Sequence, residues 1–216
     1  MLKIRRPAMP EILKIHQQEW TNHLVGLVKQ YGGYNNIPEA MKNQAVNKYQ
    51  HEEIKEIVRK LFHGKCVFCE EMIETVTYAH IEHFYPKSIY YEKTFEWENL
   101  FPACHKCNIA KGDFDTQKYP IVNPEIDTPE HYFIYRDIRI QPAPDSPDRE
   151  KSQRTIEVCD LHRLSLFRPM AKILLQFYEN EQILTEKLSE YQKLTRKADK
   201  LKRLHQIHSA LEHLKD

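Results

Sequence analysis

Four of the five cysteines stand in two matched pairs, Cys66-x-x-Cys69 and Cys104-x-x-Cys107, separated by 34 residues. Cysteines three positions apart can turn both sulfurs to one point, and two such pairs offer a tetrahedral zinc ion four thiolates. A structural Zn²⁺ is therefore expected at Cys66, Cys69, Cys104 and Cys107. Disulfides are disfavoured because nothing in the sequence suggests export. A thioredoxin-like redox pair is disfavoured because two pairs are present and no βαβ pattern surrounds either. Zinc here would hold together a segment too poor in apolar residues to fold alone. Cys159, alone in Ile156-Glu157-Val158-Cys159, is expected to be a buried helix residue rather than a nucleophile.

The insert between the pairs carries the second set of chemical groups. It includes Tyr78-Ala79-His80-Ile81-Glu82-His83-Phe84-Tyr85-Pro86-Lys87 and, later, Asn99, and Asn108 and Lys111 follow the second pair. Glu82 and Asn108 offer oxygen ligands of the kind Mg²⁺ or Mn²⁺ prefers. His83 would then be free to act as a base, since an imidazole titrates near neutral pH. Neighbours on a strand point to opposite faces, so a bend after Glu82 is expected if both are to reach one site. His80 lies two positions before Glu82 and can share its strand face. A helix starting near Cys104 puts Asn108 and Lys111 on one face. Lys87 and Lys111 are candidate phosphate contacts.

This compound pattern resembles the HNH endonuclease family, with its ββα-metal fold. The matching residues are Cys66-x-x-Cys69, Glu82-His83, Pro86-Lys87, Asn99-Leu100, Cys104-x-x-Cys107-Asn108 and Lys111. The resemblance implies that His83 is the general base, that Glu82 and Asn108 bind the catalytic divalent cation, and that Asn99 orders the loop beside the base. Family members often carry Asp at the position of Glu82. The runs Ile81 to Lys87, Ile121 to Phe133 and Thr155 to Val158 are further similar to the nuclease subunits of Septu-type anti-phage systems, relatives of which accompany some retrons. That likeness implies a bacterial defence role, a nucleic-acid substrate and a companion ABC-type ATPase, in a homo- or hetero-oligomeric complex. A non-catalytic zinc module that binds nucleic acid or protein is the rival reading, and a thiol redox protein a third.

The elements that must position these groups read as mainly helical. An amphipathic helix is expected over 10–30, a turn at Tyr31 to Asn36, and a second helix from Pro38 to Phe62 ending at His63-Gly64. Two extended segments are expected within 119–140, and three prolines between 141 and 148 mark a loop. From about 150 onward the pattern is helical, with a break expected near Arg168-Pro169. The fold class is thus α+β and mainly helical: an N-terminal helical region (1–63), a small zinc-stabilised ββα-metal core (64–140), a Pro-rich loop (141–149) and a C-terminal helical region (150–216). Most of the C-terminal apolar residues, from Leu164 to Leu214, are expected to be buried against the N-terminal helices. The rest would form a docking face.

The net charge of +1 hides a division. Residues 1–60 and 151–216 each carry +4, while 61–113 carry −3 and 114–150 carry −4. The densest basic run is Lys193 to Arg203, including Arg196 and Lys197. Basic ends could meet nucleic acid around an acidic, cation-binding middle. No apolar run approaches the ~20 residues a membrane span needs, and the first residues show no export signal. A cytoplasmic location without membrane association is expected.

Overall fold

A computed structural model describes residues 1–73, 80–136, 138–193 and 197–212. Tyr78, Ala79, Leu194, Arg196 and Leu214, and the side chains of Lys193 and Lys197, lie outside the described residues. The chain divides into two compact units, Met1–Arg163 and Leu164–Asp216.

The first unit opens with a segment that is tied down by Arg6. Its buried guanidinium donates to the Leu100 and Glu98 carbonyls and to Glu125, and lies over the rings of Trp97 and Phe101. Helix α1 (Glu11–Tyr31) follows Pro10 and buries Leu13, Leu24, Leu27 and Val28 along one face. Gly32 ends it in the left-handed region, at φ 69°, where a Cβ would be strained.

The helix expected from Pro38 to Phe62 is two. Helix α2 (Glu39–Val46) and helix α3 (Glu52–Leu61) are separated by a 3₁₀ turn at Asn47–Gln50. His51 breaks the run with an extended backbone (ψ 140°), and its ring accepts from the Glu53 N–H to cap α3. The apolar spacing concealed this break because Ala45, Tyr49, Ile54 and Val58 all enter one core. That core also holds Phe95, Trp97 and Leu100, so the N-terminal helices pack directly on the segment that follows His83.

Strand β1 (His80–His83) pairs antiparallel with β2 (Leu100–Ala103), with His83 opposite Leu100 and Glu82 opposite Phe101. Helix α4 (His105–Lys111) follows at once and packs on β1. This is a ββα unit. Strands β3 (Phe133–Arg136) and β4 (Arg139–Pro142) form a separate hairpin. The extended segment expected at 119–124 is irregular, and the Pro-rich loop begins only after Pro142, which pairs with Phe133.

Helix α5 (Arg149–Val158) is capped by the Asp148 carboxylate, which accepts from Lys151 N–H. It packs on β4 and lies in the first unit, although its sequence pattern grouped it with the C-terminal helices. The Thr155 hydroxyl accepts from the Val122 N–H, 2.8 Å away, fixing the irregular segment before the hairpin.

The second unit is a pair of helices, α6 (Leu164–Lys193) and α7 (Lys197–Glu212). Helix α6 runs through Pro169, so the expected break is absent there. Pro169 is only the sixth residue of α6, and it leaves just the Ser165 carbonyl without its usual N–H. The helical pattern is interrupted instead at Cys159–Arg163. The expectation that most C-terminal apolar surface is buried is also overturned. Leu164, Ile173, Leu175, Phe177, Ile183, Leu188, Leu201 and Leu204 are exposed. Among the described residues no helix is long and apolar enough to cross a membrane.

Candidate active site

The two cysteine pairs meet. All four sulfurs are buried and lie within 4.8 Å of one another, and none is in a disulfide. The Cys69–Cys104 separation is 3.7 Å. A zinc ion with bonds of about 2.3 Å to sulfur needs ligands about 3.8 Å apart, so the donor set fits a tetrahedral ion. Local backbone builds the two halves. In the first, Glu70 N–H returns to the Cys66 carbonyl, and Glu70 adopts a left-handed φ of 63° to close the turn. In the second, Cys104 is the N-cap of α4 and its sulfur accepts from the Cys107 N–H. The Val67 N–H bonds to the Pro102 carbonyl at 2.8 Å, which joins the first knuckle to the end of β2.

Arg163 completes this cluster. One of its nitrogens lies 3.3 Å from the Cys107 sulfur and another 3.0 Å from Glu71, whose carboxylate is in turn 3.7 Å from the Cys69 sulfur. A guanidinium beside four thiolates offsets the negative charge that a Cys₄ zinc site retains. Nothing in the local pattern around Arg163 pointed to this, because it lies more than fifty residues beyond the last cysteine of the pairs.

Beside β1 and α4 is a cavity of about 700 Å³. His80, Glu82, His83, Lys87 and Asn108 all line it, joined by Tyr49, Arg59 and Asp113. The structure thus brings both Glu82 and His83 to one site from a continuous strand. The bend comes only after His83, at Phe84 and Tyr85.

His83 is buried and tightly held. Its Nε2 is 3.0 Å from the Thr94 carbonyl. A carbonyl can only accept, so Nε2 carries the proton and Nδ1 keeps the free lone pair. The Tyr49 ring stands at 87° to the imidazole with centroids 4.6 Å apart. Burial, with Lys87 and Lys111 nearby, pushes the His83 pKa down to about 3, keeping the ring neutral.

Asn99 does not line the cavity. Its side chain is consumed by backbone: Oδ1 accepts from Tyr85 N–H at 2.7 Å, and Nδ2 donates to the carbonyls of Tyr85 and Lys93. It therefore ties Tyr85 to Lys93 within the loop whose Thr94 carbonyl meets His83. Asn108 lies inside α4 rather than at its start, so it is not a helix cap, and its side chain lines the cavity.

Lys111 departs from expectation. It is 2% exposed, and its Nζ lies 2.5 Å from Glu82 Oε1 and 2.9 Å from the His83 carbonyl. An ammonium so enclosed is not a surface phosphate contact. Burial pushes the Glu82 carboxyl above the usual range, against the pull of Lys111. His80 is half-buried, with its ring 5.2 Å from that of exposed His105. Lys87 is partly exposed at the cavity, where it can meet an anion. Tyr90 bonds through its hydroxyl to Asp115, and Tyr91 packs on the core. Cys159 is fully buried, as expected of a structural thiol, and burial pushes its pKa up.

The ββα unit, its strand-borne histidine, its helix-borne asparagine and the four-cysteine cluster all lie within one segment of the chain. Residues 66–114 match the family model described as HNH endonuclease, and this segment is an HNH endonuclease domain. The chain is similar to two proteins that bear the name Septu protein PtuB. That of Bacillus thuringiensis is 41% identical over 80 residues, covering 37% of this chain and 31% of the relative. That of Bacillus mycoides is 26% identical over 211 residues, covering 80% of this chain and 67% of the relative. The chain therefore spans about a third of the length of the first and about two thirds of the second.

Proposed function

We propose that this chain is the nuclease of a bacterial anti-phage system of the Septu type, hydrolysing nucleic-acid phosphodiesters with the help of a divalent cation. The observation that carries the reading is His83, held by the Thr94 carbonyl so that the neutral Nδ1 is the only basic nitrogen of a ring at the cavity wall. In this reading His83 accepts a proton from water. The negative charge of an approaching phosphate would raise its basicity from the low resting value. Glu82 and Asn108 hold Mg²⁺ or Mn²⁺, with His80 as an auxiliary. The cation supplies Lewis-acid polarisation of the phosphoryl oxygen and stabilises the leaving oxygen. Lys87 binds a flanking phosphate, Asn99 positions the loop behind the base, and a structural Zn²⁺ sits on the four cysteines.

DNA cut this way carries 5′-phosphate and 3′-hydroxyl ends, and a cyclic phosphate from RNA would instead indicate attack by the 2′-hydroxyl. A cytoplasmic complex with a companion ABC-type ATPase, which would restrain a self-toxic enzyme, completes the proposal. The test is cleavage of plasmid DNA and total RNA with Mg²⁺, Mn²⁺ or chelator, with and without that ATPase. His83→Ala should abolish cutting while zinc content stays near one per chain. Undiminished cutting by that variant would remove His83 from the mechanism. Absence of cutting by the intact complex under every condition would favour a non-catalytic zinc module.

A further inference from the structure

Lys111 is a buried cation with two oxygen partners, Glu82 Oε1 at 2.5 Å and the His83 carbonyl at 2.9 Å. Enclosing an ammonium costs several kcal/mol unless its hydrogen bonds are well made, so its location is a specific feature of the site. The zinc cluster dictates it. Cys104 and Cys107 belong to α4, and Lys111 is one turn beyond Cys107 on that short helix, facing β1.

The consequence concerns charge. Divalent-cation sites gain affinity from the number of carboxylates they offer. Here one oxygen of Glu82 is already occupied and its charge is balanced from within. Of the other groups at the cavity, Asn108 is neutral, and the exposed acids Glu52, Glu56 and Asp113 are matched in number by Lys55, Arg59 and Lys87. With Glu82 paired to Lys111, the charged groups around the cavity cancel, so the site lacks the net negative charge to retain a cation. A nucleic-acid phosphate would bring the missing anionic oxygens.

We propose that Lys111 is a positioning residue that neutralises Glu82, so that the site takes up its divalent cation only together with a phosphate of the substrate. This inference rests on the nuclease reading. It makes cation uptake an ordered event: a chain without nucleic acid stays free of Mg²⁺ or Mn²⁺.

Mn²⁺ binding to the zinc-loaded full chain, read from the loss of the free-ion electron paramagnetic resonance signal, tests it. The wild type alone should show no tight site. Lys111→Met keeps the buried aliphatic stem and removes the charge, and should tighten Mn²⁺ at least about tenfold without nucleic acid. Adding Glu82→Gln to that variant should abolish the gain. A purely structural ion pair predicts lost stability and no gain, and that result would overturn the proposal. Because Lys111→Met breaks a buried ion pair and can impair folding, a second arm uses the His83→Ala protein with a 20-base-pair DNA and, separately, a 20-nucleotide RNA. At least one should tighten Mn²⁺ about tenfold, and equal affinity with and without both would also overturn it. Failure of the nuclease reading is distinct, since it appears as uncut nucleic acid in the activity assay whatever the Mn²⁺ affinity.

Discussion

Tyr49, far from the motif in sequence, packs on the histidine proposed as the base. Its ring meets the His83 imidazole at a near-perpendicular angle, and the pair is buried. With Nε2 tied to Thr94, the tyrosine removes the remaining freedom of the ring. Tyr49→Ala should lower the cleavage rate about 10- to 100-fold, because loss of positioning by about 1 Å is costly to a reaction that depends on alignment. Tyr49→Phe keeps the ring contact and should retain most of the activity. Steady-state rates for the two variants, with zinc content as the control for folding, check this. The residues legible from the sequence were those whose chemistry and spacing close locally: the cysteine pairs, Glu82 with His83, and Asn108. The surroundings of Tyr49, Lys111 and Arg163 were not legible. Tyr49 looked like one more apolar helix position. Lys111 looked like surface, because a lysine at a helix end is usually solvated. Only the tertiary approach of α4 to β1 turns it into a buried counter-ion.

Two supports hold the ββα unit beyond its own strand pairing. One is the four-sulfur cluster, which joins the first knuckle to the end of β2 and the start of α4. Stripping the zinc proposed for this cluster with a strong chelator should unfold the unit, since its binding free energy would be folding free energy. Limited proteolysis is the measurement: cuts should appear between Gly64 and Gly112 in chelated protein and be absent after zinc is restored. The other support is Arg6, which reaches β2 through the Leu100 carbonyl while its guanidinium covers Trp97 and Phe101. Arg6→Ala leaves the Glu125 carboxylate and two carbonyls without their donor, and should destabilise the fold by about 3 kcal/mol, seen as a lower urea midpoint. Helix boundaries were the less legible part. Periodicity marked α1 well, but it ran unbroken across Asn47–His51 because both helices and the turn between them face the same core. Similarly, Pro169 suggested a break that its place in the second turn of α6 does not require.

The C-terminal helix pair is unlike the first unit in what it presents to solvent. Several large side chains, Leu175 and Phe177 among them, are more than half exposed. Exposed apolar patches of this kind promote association. Leu175→Glu with Phe177→Glu should change stability by no more than about 0.5 kcal/mol per site, yet reduce concentration-dependent light scattering of the purified chain. A lower melting temperature would show that these residues are needed for folding. The arrangement of the first unit carries a practical lesson for protein engineers. The segment that bears the family pattern, residues 66–114, is no portable cassette. Its His83 leans on a tyrosine from upstream, its second strand is stapled by an arginine near the start, and its sulfurs are screened by another at position 163. A transplant intended to cut nucleic acid in a new host protein would have to carry everything from Arg6 to Arg163, and a shorter graft would arrive without the walls of its own active site.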